Sequence, residues 1–291
     1  MRELSDKEIQ GCLRGAIRLE RGAGGLLPLR FTDAAMKYYS SIGDARRIRA
    51  LCPAGVSLEF LTDSSRLVIE AAIEEAARPF AFFDLYVEGS LVGSIGSEKP
   101  DHVLKGEIIV RRHPAGGARR WSLYLPHCRV TALRRVALDA GASFKPVPRA
   151  SLLLALGDSI TQGMTSLHPG AAYAVVAARE MEMDLHNGGV GGHVFDAAAI
   201  AKGPVEAPSI ITVAYGTNDW SAGSDASPAL PYLRRLRELY PSVPIYVLSV
   251  LWRPDGDEPG AGTGEPPRNK AGITLEEFRR RLAGIAGELP E

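Results

Sequence analysis

A short apolar run that ends in a polar turn constrains the fold of this chain more than any other stretch. Residues 151–156 read Ser-Leu-Leu-Leu-Ala-Leu, and a Gly-Asp-Ser-Ile-Thr turn follows at 157–161. So short and saturated a run is typical of a parallel strand that is buried on both faces. A strand that breaks here and continues as a helix places the Ser159 hydroxyl at the carboxyl end of a sheet, where open α/β folds bind ligands. Ser159 is therefore a candidate nucleophile; the alternative is that Asp158 or Ser159 only caps the next helix.

Composition narrows the classes of protein and partner. The 291 residues are 45% hydrophobic, enough for one large core or two moderate ones, and 34 basic residues balance 34 acidic ones. This balance gives no overall field that would favour nucleic acid or an anionic membrane, so we expect a neutral small-molecule partner. The three cysteines, Cys12, Cys52 and Cys128, are far apart and lack metal-ligand spacing, which indicates reduced, packed thiols.

The N-terminal sequence predicts the compartment. The first residues are charged, and no apolar stretch has the length of a signal peptide or a membrane span. We therefore expect a cytoplasmic protein without a membrane partner. His102, His113 and His127 have no spacing that suggests a metal pair, and we expect neither a metal nor another cofactor.

The first half of the chain has the pattern of an antiparallel β-sandwich. Strand-like segments separated by turns follow one another at close, regular spacing with little helical period between them. They lie at 56–62, 66–73, 80–87, 91–95, 106–112, 119–125 and 130–138. The sequence leaves two roles open for this unit, a carbohydrate-binding jelly roll and a structural lid. Two prolines in the segment 141–148 and a change of composition predict domains at 1–148 and 149–291.

Aromatic residues recur along the predicted strands of this first half. They are Phe80, Phe82, Phe83, Tyr86, Trp121 and Tyr124. Aromatic side chains at alternate strand positions more often fill a sandwich core than form a platform for stacking sugars, so we favour the core interpretation.

The second half alternates buried strands with amphipathic helices, which predicts a parallel sheet covered by helices. Helices are expected at 171–180, 194–201, 231–240 and 274–289, and further strands at 183–186, 209–215 and 245–251. Two more polar clusters then follow strands, the glycine-rich segment 187–192 and the Gly-Thr-Asn-Asp segment 216–219.

A serine that attacks an acyl carbon needs donors for the oxyanion, and Gly192, the Asn218 amide and the Ser159 N–H are the candidates. Taken singly, the glycine cluster could also cradle a phosphate, and Asn218 could only brace its turn.

The three clusters in this order resemble blocks I, II and III of the SGNH (GDSL-type) hydrolases, a flavodoxin-like family of esterases, lipases and acyltransferases. The resemblance implies Ser159 as the nucleophile, with the Ser159 amide, Gly192 and Asn218 as the oxyanion hole. Residues 159–163 and 168–173, Ser-Ile-Thr-Gln-Gly and His-Pro-Gly-Ala-Ala-Tyr, are similar to a subgroup with an N-terminal β-sandwich and a G-x-D-L-Y motif. The segment 83–86, Phe-Asp-Leu-Tyr, fits that motif except that Phe82 stands at the glycine position. The segment 124–126, Tyr-Leu-Pro, also resembles a late strand of carbohydrate esterase family 2.

One element of the family pattern is missing. The family's fourth block, Asp-x-x-His, carries the base and the carboxylate that orients it, and no Asp in this sequence is followed by His three residues later. On this resemblance we expect the block to lie beyond Glu291, within roughly one more βα unit of about 30–50 residues. His193 and His168 are the alternatives as base, and both are disfavoured. The position of His193 beside Gly192 suits contact with substrate better than proton transfer. Asp158 is expected to accept backbone N–H bonds of its turn and, like His193, to be a substrate-binding residue.

The resemblance thus implies metal-free hydrolysis of a short-chain, acetyl-type ester of a sugar or small alcohol through an acyl-Ser159 intermediate. Without its base such a serine keeps only oxyanion-hole catalysis, a loss on the order of 10⁴–10⁶-fold. Two alternatives stay open: an acyltransferase of the same fold, and a non-catalytic carbohydrate-binding or scaffold protein. Nothing in the sequence indicates an oligomeric state.

Overall fold

A computed structural model describes residues 1–111, 116–200, 207–259 and 264–289. The first half consists mainly of strands, with three helices near the N-terminus. In chain order these elements are β1 (Arg2–Glu3), α1 (Asp6–Cys12), β2 (Leu13–Arg14), β3 (Arg18–Gly22), β4 (Gly25–Leu29), α2 (Asp33–Ser41), α3 (Asp44–Leu51), β5 (Ser57–Thr62), β6 (Arg66–Ala76), β7 (Ala81–Val87), β8 (Ser90–Ser97), β9 (Val103–Ile109), β10 (Arg119–Tyr124), β11 (Arg129–Leu138) and β12 (Lys145–Pro146).

These strands form two antiparallel sheets that share one core. One sheet has the order β3-β4-β11-β6-β9, with β1 beside β11, and the other the order β12-β5-β10-β7-β8, with β2 beside β5. Side chains alternate along a strand, so every second residue points between the sheets. Phe60, Ile69, Phe83, Trp121 and Val136 occupy such positions and are fully buried. The predicted antiparallel sheets are confirmed, whereas the jelly-roll connectivity and the boundary at residue 148 stay predictions.

The aromatic residues divide between this core and the other side of the sheet. Phe83 and Trp121 lie in the sandwich core, as predicted. Tyr86 and Tyr124 are also buried, but they pack with the second half of the chain, which sequence periodicity alone does not reveal. Phe80 and Phe82 are half-buried, and Phe82 contacts the His168 ring at 4.5 Å between centroids.

The sequence pattern gave no sign of the helices α2 and α3. Thr32 caps α2 through its side chain, which accepts the Ala35 N–H, and Asp44 begins α3 directly after Gly43. The buried Arg30 side chain holds α3 in place, because it donates hydrogen bonds to the carbonyls of Cys52 at 2.7 Å and Arg49 at 2.9 Å. The same guanidinium reaches the Asn187 carbonyl at 2.5 Å. Helix α3 is thereby fixed against a strand of the second half.

The second half contains a four-stranded parallel sheet. Its elements are β13 (Leu152–Gly157), α4 (Ser159–Gln162), a 3₁₀ turn (Pro169–Ala171), α5 (Tyr173–Glu180), β14 (Asp184–Gly189), a second 3₁₀ turn (Ala197–Ile200), β15 (Ile210–Ala214), α6 (Thr217–Ala222), α7 (Ala229–Leu239), β16 (Ile245–Val247), α8 (Pro254–Asp257) and α9 (Leu275–Gly287). The order β14-β13-β15-β16 is the 2-1-3-4 order of a flavodoxin-like sheet, which confirms the predicted parallel fold.

Three expectations for this half were wrong in detail. The strand predicted at 183–186 runs over Asp184–Gly189, because residues 187–189 of the glycine-rich segment still pair with β13. The helix predicted at 194–201 is a 3₁₀ turn over Ala197–Ile200, since the Asp196 carboxylate accepts the Ala198 N–H and starts a tight turn; residue 201 lies outside the described residues. The strand predicted at 245–251 ends at Val247. Within the described residues, no helix combines the length and apolarity that a membrane crossing requires.

Candidate active site

Ser159 lies where the sequence predicts, at the carboxyl end of β13 and at the first position of α4. A side chain at Gly157 would meet Thr161 Oγ1 at 2.0 Å and the Ala214 carbonyl at 2.8 Å, so only glycine lets the chain turn this tightly. The Ser159 side chain is half-buried and thus partly open to solvent.

Asp158 is buried directly behind the candidate nucleophile. Its Oδ1 accepts the Ile160 N–H at 2.9 Å and thereby caps α4. Its Oδ2 accepts a hydrogen bond from Asn218 Nδ2 at 3.1 Å. Burial, and to a smaller extent the nearby Asp219 carboxylate, raises the pKa of Asp158 to about 6. The expected backbone bond is present, and with 1% of the residue exposed a substrate contact of Asp158 stays a prediction without support.

The glycine-rich turn after β14 lies against the Ser159 turn. Val190 N–H donates to the Gly157 carbonyl at 3.0 Å, and Gly191 N–H donates to Gln162 Oε1 at 2.8 Å. Gly192 has φ +72°, a conformation that favours glycine. Among the described residues, neither the Gly192 N–H nor the Ser159 N–H has an acceptor. Both donors are therefore available to a ligand.

Asn218 on α6 connects all three turns, but its amide is already engaged. Its Nδ2 donates to Asp158 Oδ2 at 3.1 Å and to the His193 carbonyl at 3.0 Å. An NH₂ group has two hydrogens, so both are used in this structure. Asn218 braces the site here, and donation to an oxyanion requires one of these bonds to be exchanged.

The His193 ring packs among three tyrosines. It makes edge contacts with Tyr38, Tyr39 and Tyr215 at centroid distances of 5.4–5.8 Å, and its Nε2 is buried without a partner. Burial lowers the pKa of His193 to about 4. The predicted substrate contact of His193 remains a prediction, and the 2% exposure of this residue argues against it.

His168 lies on the sandwich side of the site. Its Nδ1 is 2.9 Å from Oδ1 of Asp84, a fully buried residue of β7. Oδ2 of Asp84 also accepts the Gly170 N–H at 3.0 Å, so the Asp of the F-D-L-Y segment anchors the loop that follows α4. Across the described part of the chain, no hydrogen bond joins Ser159 Oγ to a histidine.

A known protein family matches the half of the chain that contains Ser159. Residues 155–289 match the model of the GDSL-like lipase/acylhydrolase family. These residues form a GDSL-like lipase/acylhydrolase domain. The three turns of the GDSL-like domain are the segments that sequence analysis assigned to blocks I, II and III. A search of curated proteins found no match for the chain.

Solved structures share the fold over nearly the whole length of the chain. A salicylyl-acyltransferase from a tetracycline biosynthetic pathway is similar with a TM-score of 0.75 and 23% identity, over 94% of this chain and 77% of that one. A GDSL-like lipase from Bacteroides ovatus, described as putative, has a TM-score of 0.71 and 16% identity, over 98% of this chain and 82% of that one. A family two carbohydrate esterase from Cellvibrio japonicus has a TM-score of 0.56 and 15% identity, over 97% and 82%. At these identities the likeness shows a shared fold.

An apolar pocket adjoins the nucleophile turn of the GDSL-like domain. It has a volume of about 320 Å³. It is lined by the last residue of β15, by the segments that follow three strands and by the first residue of α5: Ile160, Tyr173, Ala214, Tyr215, Thr217 and residues 248–251. A pocket of this kind beside a serine suits the acyl part of an ester.

Sequence reasoning missed a group of arginines beside the glycine-rich turn of the site. Arg46 Nη2 donates to the Gly192 carbonyl at 2.6 Å, and Arg49 Nη1 donates to the Gly191 carbonyl at 2.8 Å. Both residues lie on α3 of the first half. The signal available in the sequence was Asp-Ala-Arg-Arg-Ile-Arg at 44–49, an acidic helix start followed by basic residues, but nothing local connects it to Gly192.

Proposed function

We propose that this chain is an ester hydrolase whose nucleophile is Ser159. The observation that carries the proposal is the hydrogen bonding of three strand ends around one serine. The β14 turn is bonded to the β13 turn through Val190, and the β15 turn is bonded to the β13 turn through Asn218 and Asp158. This arrangement supports attack on an acyl carbon, because the hydroxyl and unpartnered backbone donors face the same edge of the sheet.

The proposed chemistry is acyl transfer through a covalent intermediate. Ser159 Oγ forms a bond to the ester carbonyl carbon while its proton passes to a base, and the carbonyl oxygen becomes an oxyanion. The Ser159 and Gly192 N–H groups would stabilise that oxyanion, with Asn218 as a third donor after exchange of one of its bonds. Collapse expels the alcohol, and water then releases the acid. The base has to reach Ser159 Oγ within about 2.6–3.2 Å in the reacting complex.

For the substrate we propose a short-chain acyl ester of a small alcohol or sugar. The pocket of about 320 Å³ beside Ile160 exceeds what an acetyl group fills, so the series tested should run from acetyl to octanoyl. A chain-length preference longer than acetyl would replace the expectation drawn from family resemblance.

The test combines an activated ester with a serine-directed probe. The protein is assayed with the Asp-x-x-His block that the family resemblance leads us to expect, because Ser159 Oγ needs a base to become nucleophilic. This protein should release 4-nitrophenol from 4-nitrophenyl acetate and become labelled at Ser159 by a fluorophosphonate. Ser159→Ala should lose both signals. Ser166→Ala is the matched control, since the side chain of this loop serine donates to the His168 carbonyl and its other hydrogen bonds involve backbone atoms that the variant keeps. Equal rates for wild type and Ser159→Ala would overturn the proposal.

Transfer of the acyl group to a second alcohol is the alternative, favoured by the apolar lining of the pocket. An acyl-enzyme shielded from water persists long enough to meet a bound alcohol. Adding alcohol acceptors and separating ester product from free acid by chromatography distinguishes the two outcomes. A hydrolase gives mainly acid at all acceptor concentrations.

A further inference from the structure

Three arginines lie together on the rim of the Ser159 site, on the side of the sandwich. Arg46 and Arg49 of α3 donate to the carbonyls of Gly192 and Gly191, and Arg78 Nε donates to the Met164 carbonyl at 3.2 Å. These carbonyls belong to the turn after β14 and to the segment after α4. We call Arg46, Arg49 and Arg78 the rim arginines.

The rim arginines are not balanced by carboxylates. Within the described residues none of them forms an ion pair, and all their hydrogen bonds go to backbone carbonyls. Burial, followed by repulsion from Arg46 and Arg78, lowers the pKa of the Arg49 guanidinium. Two carboxylates on neighbouring segments have other partners. Glu75 pairs with Arg47, and Asp196 accepts the Tyr38 hydroxyl at 2.6 Å.

The neighbouring Arg47 differs from the rim arginines, because its charge is neutralised by ion pairs. Arg47 lies between Arg46 and Arg49 in sequence but faces away, and it pairs with Asp44 and Glu75. The same helix therefore carries one neutralised guanidinium and two that are left with positive charge beside the Gly192 peptide. A guanidinium presents five N–H donors, and Arg46 and Arg49 each use one, so the remaining donors are free for an anionic oxygen group.

We propose that the rim arginines form an anion-binding subsite, and that the ester turned over at Ser159 carries a carboxylate or phosphate group. All three side chains are half-buried, so they are partly desolvated but open to a ligand. In such a setting a charge-assisted hydrogen bond is stronger than in water. The overall charge balance of the chain conceals this local excess, which is why composition alone predicts a neutral partner.

This inference rests on the proposed function for its substrate, and a binding experiment tests the subsite without catalysis. Ser159→Ala protein is titrated by calorimetry with benzoate, phenyl phosphate and benzamide, three probes of similar shape. We expect benzoate or phenyl phosphate to bind at least about tenfold more tightly than benzamide, which is the loss typical of one missing charge-assisted hydrogen bond. Raising the salt concentration should weaken binding of the anions and leave benzamide unchanged. The stronger of the two anions identifies the group.

Substitutions separate the effect of the arginine charge on anion binding from the effect of the hydrogen bond to the backbone carbonyl. In Arg46→Gln and Arg49→Gln a side-chain N–H can still donate to the glycine carbonyl while the charge is removed, so the fold should be kept and anion affinity should fall about tenfold in each. Arg46→Lys should restore part of the affinity. Arg47→Gln on the same helix should bind the anions like wild type. Unchanged anion affinity in both Gln variants, or equal affinity for benzamide and the anions, would overturn the proposal.

Turnover then links the subsite to the reaction. Wild-type protein is compared on acetyl esters of 4-hydroxybenzoate and 4-hydroxybenzamide, and on 4-nitrophenyl esters of glutarate and its monoamide, so that the charge lies on the alcohol or the acyl side. A higher kcat/KM for the anionic member of one pair, lost in Arg46→Gln, supports the inference. Ser159-dependent hydrolysis without such a preference contradicts it and leaves the esterase standing. Anion binding without Ser159-dependent turnover of any ester keeps the subsite and removes the proposed function.

Discussion

The Asn218 side-chain amide donates a 3.1 Å hydrogen bond to the buried carboxylate of Asp158, one residue before Ser159. The same amide donates to the His193 carbonyl, which follows Gly192 in the chain. One side chain therefore joins the turns after β13, β14 and β15. The residue predicted to bind the oxyanion is, in this structure, the residue that holds the site together.

Asn218→Ala should weaken both stability and turnover. The change leaves Asp158 Oδ2 and the His193 carbonyl without this donor, so we expect the free energy of unfolding to fall by about 1–3 kcal/mol. If the amide also serves the oxyanion, kcat on 4-nitrophenyl acetate should fall about 10²–10³-fold. Urea unfolding and steady-state kinetics measure the two effects. Ser221→Ala, an exposed change on the same helix, is the control. Lower stability with an unchanged kcat would show that Asn218 stabilises the site but does not bind the oxyanion.

His193→Phe should remove part of the acid sensitivity of the fold. The folded pKa of His193 is about 4, below the ordinary value of 6.5, so the unfolded chain binds a proton first as the pH falls. Stability from the neutral ring is present above pH 6.5 and is lost toward pH 4, by about 3 kcal/mol for a shift of this size. On going from pH 8 to pH 4, the variant should therefore lose about 3 kcal/mol less of its free energy of unfolding than wild type does. Urea unfolding at both pH values measures the difference.

The same variant tests whether His193 has a catalytic role. His186, whose pKa burial also lowers to about 4, remains in the variant and is the internal reference for the pH dependence. Because the His193 ring lies among three tyrosines, we expect His193→Phe to keep its activity at pH 8 within a few-fold. Loss of Ser159-dependent turnover to the level of Ser159→Ala would show instead that His193 takes part in the reaction.

The sequence predicted strands and turns well where the residues of the segment itself determine its place in the sheet. The saturated run at 151–156 and the polar turns after the strands predicted the ends of β13 and β15 to within one residue, because a parallel strand buried on both faces has a composition of its own. The end of β14 was not predicted, since residues 187–189 still pair with β13. The alternation of Phe83 with Asp84 predicted a strand, but not that Asp84 faces the second half.

The rest depends on contacts between segments that are distant in the chain. Helix α3 lies beside Gly192 through contacts between the two halves, among them the buried Arg30, which binds carbonyls of both. The amide of Asn218 is used by Asp158 and by the His193 carbonyl, and no local pattern contains such a pairing. Sequence periodicity assigns residues to a face of an element, whereas the partner on that face is set by tertiary packing.

Asp219→Asn should change the pH dependence of stability in the opposite direction to His193→Phe. Burial raises the pKa of Asp219 to about 6, and its Oδ2 has no partner. A raised carboxyl pKa means that the folded state holds the proton longer, so stability present below about pH 4 is lost as the pH rises through 6. The shift corresponds to about 3 kcal/mol. The Asn variant can keep the bond from Phe195 N–H. Its free energy of unfolding relative to that of wild type should therefore be higher at pH 8 than at pH 4.

A matched control for this experiment lies in the loop after α6. Hydrogen bonds from Ser227 lower the pKa of Asp225, which is the opposite shift, so Asp225→Asn should not show a gain at pH 8. Chemical unfolding of wild type and both variants at pH 4, 6 and 8 gives the comparison. Parallel pH profiles for wild type and Asp219→Asn would mean that Asp219 titrates alike in the folded and unfolded states.

Asp84→Ala should loosen the loop that connects the nucleophile helix to α5. The buried carboxylate accepts hydrogen bonds from Ser94 Oγ at 2.6 Å, His168 Nδ1 at 2.9 Å and Gly170 N at 3.0 Å. Alanine leaves these donors without their acceptor, and two of them lie across the contact between the halves. We expect the free energy of unfolding to fall by about 2–4 kcal/mol and proteolysis within 163–171 to become faster. Asp101→Asn, an exposed change in the same sandwich, should behave like wild type. Because His168→Ala removes only one of the three bonds, its loss should be smaller than that of Asp84→Ala, and the reverse order would show that the imidazole and not the carboxylate anchors the loop.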